Sequence, residues 1–134
     1  MVLAPRTVLY VDDDADDREF LAEAINELNP ATQVVCAENG MEALDYLNGL
    51  RSHPEDLPCL VVLDINMPVL DGRQTFQKIK DDPTFDRVSI IVFTSSENPQ
   101  DKAMFQKLGV EMITKPNNVS YFSRIASHML SHCA

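Results

Sequence analysis

The run Leu60-Val61-Val62-Leu63 stops abruptly on a carboxylate, Asp64, and this junction constrains the fold more than any other stretch of the chain. Four successive apolar residues, two of them β-branched, lie between Pro58 and Met67-Pro68. They read as a strand covered on both faces, as in a parallel sheet sandwiched by helices. Other apolar runs end in the same way: Val8 to Val11 on Asp12-Asp13, Ile90 to Phe93 on Thr94, and Met112-Ile113 on Thr114-Lys115. In an open α/β sheet, ligands sit beyond the carboxyl ends of the strands, near the point where strand order reverses. If the runs are parallel strands, then Asp12, Asp13, Asp64, the Thr94 hydroxyl and the Lys115 ammonium converge on one small volume. Such a set suits a magnesium-dependent phosphoryl acceptor with Asp64 as nucleophile.

Helical patterns separate the strands. Asp14 is a candidate N-cap, with Asp16 and Asp17 in the first turn, where the helix dipole favours negative charge. Capping accounts for all three, so no chemistry is assigned to them. Phe20, Leu21, Ala24, Ile25 and Leu28 then keep helical spacing until Asn29-Pro30. Gln33 to Ala37 reads as a second strand, and Asn39-Gly40 as a turn before Ala43, Leu44, Leu47 and Leu50. Gly49 to Pro58 is a long loop that carries a contact or is simply mobile. Asp71-Gly72 supplies a tight turn before the helix of Phe76 and Ile79, which Asp81-Asp82-Pro83 ends. Ser89 to Phe93 is the fourth strand, Asn98-Pro99 precedes a helix that stops at Gly109, and Val110 to Thr114 is the fifth strand. Asn117 or Asn118 caps a last helix carrying Tyr121, Phe122, Ile125, Ala126 and Met129. Five strand-helix units without repeats point to an α/β sandwich around a parallel sheet.

A length of 134 residues allows one domain with a real core. With 45% hydrophobic and 24% charged residues, the composition is that of a soluble globular chain. The net charge of −10, with no cluster of Lys and Arg, argues against nucleic acid as a partner. No apolar stretch approaches the roughly 20 residues of a membrane span. Met1 to Val11 is too short and too interrupted by Pro5 and Arg6 for a secretory signal, so a cytoplasmic location is expected. Three cysteines, Cys36, Cys59 and Cys133, form no CxxC and leave an odd thiol under any pairing. They read as reduced thiols, with Cys36 and Cys59 filling strand positions as small apolar residues. His128 and His132 read as surface residues at a helix end, and His53 as a solvated loop residue.

These residues resemble the receiver domains of two-component response regulators over nearly the whole chain. The carriers are Val11-Asp12-Asp13, Leu63-Asp64-Ile65-Asn66-Met67-Pro68 with Asp71-Gly72, Phe93-Thr94-Ser95 and Thr114-Lys115-Pro116, in that order and spacing. The resemblance implies a flavodoxin-like five-stranded sheet of order 2-1-3-4-5 and a stand-alone, CheY-like receiver spanning 1–134 without an output domain. It implies phosphorylation of Asp64 by a sensor histidine kinase or a histidine phosphotransfer protein, and signalling by phosphorylation-dependent binding to a downstream protein. Asp13, Asp64 and the backbone carbonyl of Asn66 are the implied magnesium ligands, with Asp12 acting partly through water and manganese as an alternative ion. Thr94, Ser95 and Lys115 are the implied phosphate-binding residues, and Lys115-Pro116 the site of an expected cis bond. Asn66 and Ser95 fall where the family tunes loss of the phosphoryl group, and small polar choices there imply a short-lived phosphorylated state. The chain departs from the family at Met112, where receivers usually carry a Tyr or Phe that reports on Thr94. The long loop before the third strand is similar to that of stand-alone receivers serving phytochrome-type kinases.

Two rivals frame the expectation. A phosphatase of the haloacid dehalogenase type also uses an Asp after a strand, but it needs a second Asp two residues on, where this chain has Asn66. A receiver that only binds and is never phosphorylated would have no use for the set Asp12, Asp13, Asp64, Thr94 and Lys115.

Overall fold

Strand β1 (Arg6–Val11) is the second strand of a five-stranded sheet, and what positions the site follows from its neighbours. The structure is a computed structural model that describes residues 6–133. Helix α1 (Ala15–Leu28) leads to β2 (Thr32–Ala37), α2 (Gly40–Asn48), β3 (Leu60–Leu63) and α3 (Gly72–Lys80). Strand β4 (Ser89–Thr94), α4 (Pro99–Lys107), β5 (Glu111–Thr114) and α5 (Phe122–Leu130) complete the alternation. The five strands are parallel in the order β2-β1-β3-β4-β5, which is the flavodoxin-like arrangement expected above. Strand order reverses between β1 and β3, so the switch point falls beside Asp12 and Asp64. Register aligns the ends: Val11 pairs with Leu63, Leu63 with Val92, and Thr94 with Thr114.

Side chains alternate between the faces of the sheet. Leu9, Val11, Val61, Leu63 and Val92 pack with Leu47 of α2, Phe76 and Ile79 of α3, and Phe105 of α4. Val8, Tyr10, Val62, Ile91 and Phe93 pack with Leu21 and Ile25 of α1 and with Phe122, Ala126 and Met129 of α5. Both faces of β3 are therefore dry, which explains its unbroken apolar run.

Several local expectations need correction. Cys59 and Cys133 are joined by a disulfide with Cα atoms 5.3 Å apart, so they are not free thiols. The turn after α5 carries Cys133 back beneath the start of β3, a proximity across 74 residues that spacing alone cannot reveal. Cys59 precedes β3 rather than lying in it, and Cys36, the free cysteine among the described residues, is exposed on β2. The described residues contain no cis peptide bond, so Lys115–Pro116 is trans, the form most X–Pro bonds adopt. Asp71 caps α3 through a capping box with Gln74 instead of making a free-standing turn. Asn118 caps a 3-10 turn, Val119–Tyr121, that runs directly into α5. Leu28 and Tyr121, members of the apolar series read for the first and last helices, are exposed.

The long loop is held rather than loose. It contains a 3-10 turn at Pro54–Asp56, and Arg51 at its start pairs with Asp82 while stacking 5.1 Å above the Phe85 ring. Residues 1–5 of the stretch read for a leader lie outside the described residues. Among the described residues no helix is long and apolar enough to cross a membrane.

Candidate functional site

Beyond the carboxyl ends of β1, β3, β4 and β5, three acidic side chains surround one lysine. Lys115, directly after β5, places its Nζ 2.6 Å from Asp12, 2.8 Å from Asp17 and 3.1 Å from Asp64. Asp12 is fully buried; its Oδ2 also accepts the Tyr10 hydroxyl at 2.6 Å, and its Oδ1 accepts the Asp14 amide at 2.9 Å. Asp14 in turn caps α1 by accepting the amides of Asp16 and Asp17, which aims Asp17 at the lysine. Asp64 Oδ1 accepts the Ile65 amide at 2.7 Å, leaving Oδ2 towards Lys115. Asp13 lies exposed at the rim, and oxygens of Asp12, Asp13 and Asp64 all fall within 4.8 Å of one another. Thr94 is buried at the end of β4, and its carbonyl accepts the Lys115 amide at 2.8 Å.

The loop after Asp64 is shaped by close packing. A Cβ on Gly72 would lie 2.2 Å from the Asp64 carbonyl oxygen and 2.6 Å from Ile65 Cα, so only glycine lets α3 start this close to the site. Val69, exposed in the same loop, has φ of 68°, a conformation that costs a β-branched residue free energy. Strain is thus stored within five residues of Asp64.

Burial pushes the Asp64 carboxyl above the ordinary carboxylate range, although the Lys115 ammonium and the Thr94 hydroxyl pull it back. Burial disfavours the Lys115 charge, but hydrogen bonds to Asp12 and Asp17 and the charge of Asp64 outweigh it, so the lysine is held protonated beyond its usual range. Tyr10 is likewise raised, by burial and by the neighbouring Asp12 charge, and stays a hydroxyl donor. Two carboxylates about 5 Å apart repel by roughly 3 kcal/mol at an effective dielectric of 20. Four carboxylates against one ammonium leave surplus negative charge, and the donors that converge are all oxygen. The set fits a hard divalent cation.

Of the residues singled out from sequence, Asp12, Asp64, Thr94 and Lys115 are brought together, with Asp13 beside them. Asn66 and Ser95 lie exposed at the rim, and Met112 is half-buried against the layer that holds Val92 and Phe105. Asp17 corrects the earlier reading: capping was thought to explain it fully, yet its carboxylate binds Lys115. Tyr10 was missed as well. Its signal was present, because residues i and i+2 of a strand share a face, placing Tyr10 beneath Asp12. Nothing local in the sequence ties Asp17 to a lysine 98 residues away.

The family model of the response regulator receiver domain matches residues 8–125. Response regulator Rcp1 of Synechocystis sp. is 27% identical over 117 residues, which are 86% of this chain and 80% of Rcp1. The structure of the Mn2+-bound form of Rcp1 superposes with a TM-score of 0.82, at 26% identity over 95% of this chain and 93% of that one. The phosphorylated cyanobacterial phytochrome response regulator RcpA superposes with a TM-score of 0.85, at 32% identity over 96% of this chain and 93% of that one. A probable cyclic di-GMP phosphodiesterase of Vibrio cholerae is 30% identical over 129 residues, but this chain covers only 27% of its length.

Proposed function

Because this chain belongs to the response regulator receiver domain family, we propose that Asp64 accepts a phosphoryl group from a histidine kinase or histidine phosphotransfer protein in a magnesium-dependent reaction. An Asp64 oxygen attacks the phosphorus of a phosphohistidine, the phosphorus–nitrogen bond breaks, and the imidazole leaves with the bond's electron pair. The Oδ1 bond to the Ile65 amide holds the carboxylate still while the other oxygen reacts. Lys115, already 3.1 Å away, neutralises charge on a phosphoryl oxygen, and the Thr94 hydroxyl donates to another, with Ser95 at the mouth. Asp12, Asp13, Asp64 and the Asn66 carbonyl would hold Mg2+, or Mn2+ in its place, which supplies positive charge to the phosphoryl oxygens.

Uptake of the phosphoryl group draws Lys115 from Asp12 and Asp17 and pulls on β4 and β5, which alters the surface read by a downstream protein. Met112 in place of an aromatic residue means that the readout runs through repacking of a flexible side chain. The kinase favoured by the likeness to RcpA is of the phytochrome type, and the location consistent with an ATP-dependent kinase partner is the cytoplasm. The role is signalling by self-phosphorylation and self-dephosphorylation, without turnover of an external substrate; Asn66 stands where a phosphatase of the dehalogenase type needs its second acid.

One observation carries the reading: the Asp64 carboxylate lies 3.1 Å from the Lys115 ammonium and within 4.8 Å of oxygens of Asp12 and Asp13. Incubation with Mg2+ and acetyl phosphate should add about 80 Da, the mass of one phosphoryl group. Asp64→Asn should abolish the gain, and its persistence in that variant would overturn the assignment.

A further inference from the structure

At the other end of β5 a second cluster forms that the phosphoacceptor site does not use. Glu111 opens the strand, and His128 of α5 and His132 of the turn after it lie four residues apart, on one face. His128 Nε2 is 2.7 Å from Glu111 Oε2, and His132 Nε2 is 3.2 Å from Oε1. The two imidazole rings meet edge to face with centroids 5.6 Å apart. Ligand atoms from all three residues lie within 4.8 Å of one another.

We propose that Glu111, His128 and His132 form a metal site for a borderline transition-metal ion, zinc above all. Two imidazoles and a carboxylate are the donor set zinc takes when three protein ligands leave a fourth position open. Donors at about 2.0–2.1 Å from a tetrahedral ion stand about 3.4 Å apart, so small rotamer adjustments suffice. The donors differ in kind from the oxygen-only pocket around Asp64, and softness therefore sorts the ions: magnesium to the carboxylates, zinc to the imidazoles. A cleft of about 260 Å³, lined also by Lys80, Ile90 and Leu108, reaches Glu111 and His132 and gives water access to the fourth position. The disulfide at Cys133, next to His132, restrains the turn before any ion arrives and so lowers the ordering cost of binding. A bound ion would pin α5 to the edge strand.

Zinc titrated calorimetrically into the oxidised chain, saturated with Mg2+, is expected to bind at one equivalent. His128→Asn or His132→Asn should weaken binding at least about tenfold, and the double variant should remove it. His53→Asn, in the other exposed His and carboxylate group, should change nothing. All these side chains are exposed, and circular dichroism of each variant checks the fold. With Co2+ as probe, tetrahedral d–d bands without thiolate charge transfer are expected. No binding, binding untouched in the double variant, loss in His53→Asn, or thiolate bands that Cys36→Ser removes would each overturn the site. Asp64→Asn should keep the zinc signal, so failure here is separable from failure of the phosphoacceptor reading.

Discussion

At the level of single residues the site is held in a state of poise that titration can expose. Burial raises the Asp64 carboxyl in the folded chain. Its contribution to stability is therefore complete below the unfolded value of about 3.9 and is lost as pH rises through the higher folded value. Asp64→Asn, neutral throughout, should be more stable than the wild-type chain at pH 7 by about 0.5–2 kcal/mol. The gap should close towards pH 4, and urea unfolding across that range checks both statements. In the proposed reaction Asp17 would compete with the incoming phosphoryl group for the Lys115 ammonium it already holds. Asp17→Asn should speed uptake from acetyl phosphate about 2–5-fold, the equivalent of an interaction below about 1 kcal/mol; slower uptake would make Asp17 a positioning residue instead. Asp12, Asp64, Thr94 and Lys115 were legible in the sequence because each terminates an apolar run, and a parallel sheet collects such ends. Asp17 was not, because a capping role already accounted for it and its partner comes from the far end of the chain.

Between elements, a charged clamp and a close contact decide how α3 sits. Arg73 of α3 grips Asp101 of α4 through two hydrogen bonds of 2.6 Å, and Asp101 is buried. Removing the guanidinium leaves a buried carboxylate unpaired, so Arg73→Met should cost about 1–3 kcal/mol, discounted for the partial exposure of the arginine. A double-mutant cycle with Asp101→Asn should return most of that loss as coupling. Gly72→Ala forces a methyl into the Asp64 backbone. It should destabilise by about 1–3 kcal/mol and slow phosphoryl uptake, since the reacting carboxylate must shift with its main chain. Element types and order were readable from periodicity because both faces of the sheet are covered and α1, α2, α3 and α5 each bury an apolar stripe, whereas α4 buries Asp101 beside Phe105. Their ends were less so: Asp71 with Gln74 three residues on carries the capping-box pattern but was read as a plain turn, and the 3-10 entry to α5 depends on hydrogen-bond geometry that the pattern does not show.

For the molecule as a whole, two measurements test what holds the fold together. Thiol titration of the oxidised native chain should find one reactive group, Cys36, and three after reduction and unfolding. Closing a loop over a separation of 74 residues lowers the entropy of the unfolded chain, worth up to about 4 kcal/mol, so reduction should lower the unfolding midpoint. This pairing was invisible in the sequence, where an odd number of cysteines and no spacing motif favoured free thiols. A divalent ion at the carboxylates should raise stability by about 2.7 kcal/mol at a hundredfold excess over its dissociation constant, and Asp13→Asn should blunt that rise. Among the described residues strand β5 pairs on one side only, with β4, and its four residues run from Glu111 to the threshold of Lys115. If that segment moves as one body when the phosphoryl group is taken up, thermodynamic reciprocity requires that whatever grips Glu111 more tightly after phosphorylation must also, when bound first, make the phosphorylated form easier to reach.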